Sequence, residues 1–197
     1  TVPPEHEPYV AEQVRRLPEP GLPFKPGEDY TEPATLPCLA GEEVVLGCLA
    51  RPLRVNERVC ALWAEVLRAL PEAVLALDHV PYAEPHLQEM IIARFARHGI
   101  ARERLRLRNT RPYWEAFAAL DVQLDPFPSG SGTTISDGLW MNRLAVTLAA
   151  RPPMGRVATA QLTALGLAEL TCDGDEDEYI AKTVALVRDR SRLAEIS

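Results

Sequence analysis

Asp121 to Trp140, reading D-V-Q-L-D-P-F-P-S-G-S-G-T-T-I-S-D-G-L-W, is the stretch whose reading decides the fold. A short apolar strand, Val122 to Leu124, runs into a loop of prolines, serines and glycines, and an amphipathic helix follows from Thr134 to Met141. A strand that delivers a small-residue loop to a helix N-terminus gathers backbone N–H groups and hydroxyls at one place, where the helix dipole favours negative charge. Gly130 and Gly132 let a ligand approach the main chain closely. The stretch reads as one strand–loop–helix unit built to hold a phosphate, and more specifically a nucleotide diphosphate.

The same alternation continues on both sides. Upstream the pattern changes from Glu42: E-V-V-L-G-C-L-A, Glu43 to Ala50, reads as a buried strand, and Val55, Val59, Leu62, Trp63, Val66, Leu67 and Leu70 recur at helical spacing, with Asn56 as cap and Pro71 as stop. A-V-L-A-L-D is a second strand, followed by a helix from Glu84 to His98 that carries Pro85 in its first turn and ends at Gly99. Leu105 to Arg108 gives a strand and Pro112 to Ala119 a helix; Leu144 to Leu148 gives another strand, and two or three helices close the chain. Strands alternating with helices over this length predict an α/β fold, a Rossmann-like parallel sheet with helices on both faces, whose ligands bind at the carboxyl ends of the strands.

Residues 1–40 differ in character, holding nine of the eighteen prolines, and such density forbids regular helix or a central strand. The expected organisation is a Pro-rich arm over 1–40, interrupted by one short helix from Tyr9 to Arg16, and a nucleotide-binding lobe over 41–197. The arm is either disordered or strapped across a partner domain, and Tyr9, Phe24 and Tyr30 favour strapping.

A chain of 197 residues suits one core plus a tail. No apolar run approaches the roughly 20 residues of a membrane helix, and a net charge of −7 argues against general nucleic-acid binding, which needs surplus Lys and Arg. Cys38, Cys48, Cys60 and Cys172 show no C-x-x-C spacing and no histidine at a ligand-like interval, which predicts reduced thiols, no metal site and a cytoplasmic protein. The abrupt opening at Thr1 suggests that the natural N-terminus lies further upstream. The acidic run D-G-D-E-D-E at 173–178 fails as an EF-hand, because Glu178 falls where glycine is needed and Val184 where glutamate is needed; it reads as a turn charging the first turn of a helix near Glu176.

Together these segments resemble the C-terminal half of the O-GlcNAc transferase and SPINDLY-like glycosyltransferases, which have two Rossmann-like lobes in the GT-B arrangement. L-G-C-L-A-R-P-L-R-V-N-E-R-V-C-A-L-W resembles the family's strand, turn and A-L-W helix. L-D-P-F-P-S-G-S-G-T-T-I-S-D-G-L-W-M is close to its L-D-x-x-P-x-x-G-x-T-T-x-x-D-x-L-W-x-G signature. G-R-V-A through Q-L and L-G-L-A-E-L, from Gly155 to Leu170, looks like its S-R-V-A-x-S-x-L-x-x-L-G-L-x-E-L, and P-Y-V-A-E-Q-V-R-R-L-P in the arm looks like its stretch between lobes. By this resemblance Arg54 stands where the family places a lysine on the donor diphosphate, Arg51 is donor-facing beside it, Gly132, Thr133 and Thr134 meet the phosphates, and Asp137 faces the ribose. Several positions depart from the pattern. Tyr113 stands where many members have histidine, Gly132 where some do, and Asn142, Leu144 and Ala150 where glycine and proline are usual, so the sugar and base contacts are expected to differ.

The chemistry implied is metal-free transfer of a sugar from a UDP-sugar, UDP-GlcNAc by the resemblance, to a Ser/Thr acceptor. Arg54 and the Thr133–Thr134 helix terminus would stabilise charge growing on the leaving diphosphate. Each residue also has a plainer reading: Arg54 as a surface arginine, Asp137 as a stabiliser of the helix end, and Arg156 as the partner of either a pyrophosphate or an acid on another strand. His79 and His86 read as solvated loop residues, Trp63 and Trp140 as core, and Trp114 as a lining for a base pocket. The family's acceptor site lies mainly on the other lobe, with helical repeats upstream, so the chain is expected to bind donor without transferring alone. The alternatives are a nucleotide-sugar epimerase or hydrolase of the same two-lobe fold, and a degenerate non-catalytic domain.

Overall fold

A computed structural model describes residues 2–16, 24–27, 35–41 and 43–197. Six parallel strands form its sheet: β1 (Val44–Cys48), β2 (Ala73–Asp78), β3 (Leu105–Arg108), β4 (Val122–Leu124), β5 (Leu144–Leu148) and β6 (Thr171–Cys172), in the order β3-β2-β1-β4-β5-β6. The chain first adds strands outward on one side of β1, then crosses to β4 and adds them on the other. That reversal leaves a crevice at the carboxyl ends of β1 and β4, the place where doubly wound sheets hold ligands. β1 and β4 are in register there, Leu46 opposite Val122 and Gly47 opposite Gln123.

The strands read as nearly continuous apolar runs because both faces are covered. Val44, Leu46 and Cys48 of β1, and Leu75 and Leu77 of β2, point into one core shared with the helices α1 (Glu57–Ala69), α2 (Pro85–Arg97), α6 (Glu176–Arg188) and α7 (Arg190–Ile196). Val45, Val74 and Ala76 point the other way, toward α3 (Tyr113–Ala118). Ala145 of β5 packs on Ile135 of α4 (Thr133–Trp140) and Ala158 of α5 (Val157–Ala164). Trp63 of α1 is fully buried and its Nε1 donates to the Tyr179 hydroxyl at 3.1 Å.

Local chemistry sets the ends of these helices. Asn56 caps α1 by accepting from the Val59 N–H at 3.1 Å, and Asp175 caps α6 through the Glu178 N–H at 3.0 Å, with Glu176, Asp177 and Glu178 in the first turn. Gly99 ends the α2 turn at φ +77°, a conformation that side chains disfavour. The expected strands and helices of the lobe are present, within a residue or two of their expected ends. Glu42, where the sequence pattern changes, lies outside the described residues.

Two of these expectations need correction, and one strand carried no signal in the sequence. The helix over Tyr9 to Arg16 is absent: a 3-10 helix spans Pro4–Tyr9 instead, and residues 10–16 are irregular. Most of that segment is exposed, and an isolated helix of this length is marginal without an apolar face to bury. Trp140 is not core but 48% exposed at the last residue of α4, where the ring of Phe24 lies 6.2 Å away. The edge strand β6 went unread because two residues carry no periodicity; it is fixed by pairing Thr147 with Thr171 and Leu148 with Cys172.

Described residues of the arm contact the lobe. Arg151, after β5, lies over the Tyr9 ring at 5.3 Å from its centroid. Tyr30 falls outside the described residues. Where the chain enters the lobe, Asp121 accepts the N–H groups of Cys38 and Val45 at 2.8 and 2.7 Å, and Arg190 donates to the carbonyls of Cys38 and Gly41. The fully buried Arg143 donates to the Phe117 and Thr35 carbonyls. Burial disfavours the charge of Arg143, and Asp121 partly offsets that. No helix among the described residues is long and apolar enough to cross a membrane.

Candidate donor-binding crevice

The loop that follows β1 and the loop that follows β4 face each other across the switch point. After β1 the chain makes a 3-10 turn over Pro52–Arg54 that leads into α1. From this turn Arg54 Nη1 donates to the Gly130 carbonyl at 2.7 Å and reaches Ser131 Oγ at 3.5 Å. Two residues on, Asn56 Nδ2 donates to the Phe127 carbonyl at 2.9 Å, and the Arg58 guanidinium lies over the Phe127 ring. The two loops are thus joined across the crevice. A guanidinium has five N–H donors, and these contacts use one nitrogen, so Nε and Nη2 retain donors for an anion.

The glycine-rich loop is shaped from below by Asp125, at the carboxyl end of β4. Its carboxylate is almost fully buried and accepts the Ser131 N–H at 2.7 Å and the Thr147 hydroxyl at 2.8 Å. Burial pushes the Asp125 carboxyl up to about 6, against the lowering influence of the Ser131 and Thr147 hydrogen bonds and of Arg54. A side chain at Gly130 would start 2.8 Å from Asp125 Oδ2, so the glycine admits the carboxylate beneath the turn.

Gly132 is the N-cap of α4 and provides no side-chain cap, so Thr133, exposed, and Thr134, half-buried, stand at an open helix start. The Gly132 carbonyl accepts the Ser136 N–H at 3.1 Å, and Gln161 of α5 donates to Ser136 Oγ at 2.7 Å, which steadies this turn from behind. One turn further Asp137 is buried, and its Oδ2 accepts the Tyr113 hydroxyl at 3.0 Å. The Tyr113 ring meets Trp114 and Phe117 edge-on at 4.9 and 5.1 Å.

The structure therefore brings Arg54, Gly132, Thr133 and Thr134 to one rim, with Asp137 and Tyr113 paired beside them. Arg51, exposed, opens the same turn as Arg54. Arg156 takes the acidic alternative: its Nη1 donates to Asp173 Oδ1 at 2.9 Å. His79, at the end of β2, is half-buried rather than solvated, with Nδ1 enclosed and without a hydrogen bond among the described residues. Burial, together with Arg51 and Arg111, lowers its pKa, against the raising influence of Asp78. His86 is exposed in the first turn of α2. All four cysteines are free and buried. Asp125, Ser131 and Gln161 were not singled out from the sequence; an acid closing an apolar strand just before a glycine-rich turn is the signal that marks the first two.

A wholly parallel, doubly wound sheet with loops bridged across its switch point defines a Rossmann-like lobe. Residues 38–197 match Glycosyl transferase family 41. The chain belongs to that family. It is 25% identical over 198 residues to the probable UDP-N-acetylglucosamine–peptide N-acetylglucosaminyltransferase SPINDLY of Arabidopsis thaliana, a match covering 98% of this chain and 22% of that protein. It superposes with a TM-score of 0.89 and 31% identity on a mutant O-GlcNAc transferase of Thermobaculum terrenum, over 98% of this chain and 37% of that one. Anabaena HepE, solved in complex with UDP and glucose, shares the fold at a TM-score of 0.56 and 15% identity, over 78% of this chain and 41% of that one. The chain spans well under half the length of each of these proteins.

Proposed function

We propose that this chain is the donor-binding lobe of a protein O-glycosyltransferase, taking a UDP-sugar, UDP-GlcNAc in the first instance, for transfer to a Ser/Thr acceptor held by another lobe. The observation that carries the reading is Arg54 seated on the Gly130–Ser131 turn, 2.7 Å from the Gly130 carbonyl, beside the open start of α4. A diphosphate entering there meets a cation with donors to spare, two hydroxyls and the uncapped amides of Thr133 and Thr134.

As the glycosidic bond to the diphosphate breaks, negative charge accumulates on the departing phosphate oxygens. Arg54 and the amides of the helix start are already oriented, so they stabilise that charge without reorganising. A guanidinium stays protonated at any working pH and can hold two phosphate oxygens at once, which makes arginine a fit occupant of a position where relatives carry lysine. These groups supply the charge stabilisation without calling on a metal. Asp137, fixed by Tyr113, is placed to accept ribose hydroxyls, and Arg51 extends the positive rim.

Calorimetric titration with UDP tests the reading. Loss of a charge-assisted hydrogen bond worth roughly 1.5–3 kcal/mol should weaken binding on the order of 10- to 100-fold in Arg54→Ala. Equal affinity in the variant and the parent chain removes Arg54 from the diphosphate site.

A further inference from the structure

The Gly130 carbonyl and the Ser131 N–H belong to a single peptide group, and its two ends are taken by opposite charges. Asp125 Oδ1 accepts the N–H at 2.7 Å, and Arg54 Nη1 donates to the carbonyl at 2.7 Å. A carboxylate at the N–H and a guanidinium at the carbonyl both polarise the peptide in the same sense, so each hydrogen bond strengthens the other. The carboxylate is locked on its far side by the Thr147 hydroxyl from β5, 2.8 Å from Oδ2. Asp125 is only 1% exposed, so water does not compete for it. The line Thr147, Asp125, peptide, Arg54 runs from the sheet interior to the crevice rim.

We propose that Asp125 is a positioning residue: through the Gly130–Ser131 peptide, its carboxylate fixes Arg54 and the glycine-rich turn in the geometry that receives the donor diphosphate. The proposal rests on the donor-lobe reading and adds to it that the cation is aimed by a buried acid that never touches the ligand. Protonation of Asp125 withdraws the ionic acceptor from the Ser131 N–H and relaxes the turn. The carboxyl is pushed up to about 6 by burial, so this happens in an accessible range. The other groups facing it do not titrate there: the Cys48 thiol of β1 is pushed up to about 12 and the Tyr179 hydroxyl of α6 well above its ordinary range, both by burial, while Arg54 remains a cation. Donor affinity should therefore fall as pH drops through 6.

The probe is UDP-N-acetylglucosamine, whose diphosphate is esterified at both ends and has no ionisation near pH 6, titrated calorimetrically between pH 7.5 and 5. If only the ionised acid presents a competent site, affinity at pH 5 should be about tenfold below its neutral value. Asp125→Asn should bind weakly at every pH with the step at pH 6 gone. A flat wild-type profile, or an Asp125→Asn protein that keeps both the step and the neutral affinity, overturns the proposal while leaving the donor-lobe reading standing.

A second measurement needs neither that variant nor ligand binding. In the wild-type chain the Ser131 amide and Arg54 side-chain N–H resonances should titrate together with a midpoint near 6, and Thr147→Val, which removes one hydrogen bond to the carboxylate, should move both midpoints upward together. An Arg54 resonance that ignores the Ser131 titration shows that the peptide does not couple them. Absence of binding by the wild-type chain at pH 7.5 defeats the donor-lobe reading instead, and the resonance titration still decides the coupling.

Discussion

Individual side chains at the crevice carry unequal weight, and Tyr113 shows why. Its hydroxyl donates to Asp137 Oδ2 at 3.0 Å, so the carboxylate proposed to accept the ribose is oriented by a phenol. Tyr113→Phe keeps the ring contacts with Trp114 and Phe117 and deletes that bond. UDP affinity should fall by roughly tenfold, the effect of a hydrogen bond to a charged group worth about 1.5 kcal/mol. The preference for UDP over 2′-deoxy-UDP, measured by competition, should shrink with it; an unchanged preference would separate Asp137 from the ribose. Asp125 illustrates the opposite pull. The folded chain holds its proton up to about pH 6, above the ordinary 3.8, so its contribution to fold stability is present at low pH and lost as pH rises through 6. The pH range that ionises the acid for Arg54 is the range in which its burial costs the fold most.

Secondary-structure elements were legible wherever periodicity was long or chemistry punctuated it. Asn56, Pro71, Pro85 and Gly99 each mark a boundary by a physical rule, α1 and α2 begin and end by them, and the acidic turn before Glu176 marks the start of α6. Thr133 and Thr134 were legible as residues suited to an anion beside a glycine-rich turn, whereas Arg54, 76 residues from Gly130, was indicated only by the family resemblance. Arg143 escaped because it binds carbonyls of α3 and of the entering chain, which lie far from it in sequence, whereas the signal for Asp125 is local: an acid closing an apolar strand six residues before the Ser131 amide that it accepts. The seam between α4 and β4 makes a further test. A methyl group at Gly138 would lie 2.0 Å from Gln123 Nε2, which is already committed to the Arg143 carbonyl at 2.7 Å. Gly138→Ala should therefore lower stability by about 1–3 kcal/mol in urea unfolding despite alanine's better helix propensity. A stabilised variant would mean that the helix slides freely on the sheet.

At the scale of the molecule, the chain is one lobe that spans 37% of its structural relative from Thermobaculum terrenum. Catalysis of transfer requires an acceptor held against the donor, and that alignment accounts for much of the barrier reduction in two-substrate reactions. The isolated chain should bind without turning over. A UDP-sugar at 100 times its Kd should stabilise the chain by about 2.7 kcal/mol, or roughly 5–10 °C in melting temperature, with no product from a Ser/Thr peptide by mass spectrometry. Turnover by the chain alone would move the acceptor site onto this lobe. The arm bears on the same question from outside the sheet. It touches the loop after β5 through Tyr9 and Arg151, while Asp121, Arg143 and Arg190 hold residues 35–41 where the chain enters the lobe. The described ends of the arm are therefore held at two separate places on the lobe, one beside the loop that follows β5 and one beneath the start of β4.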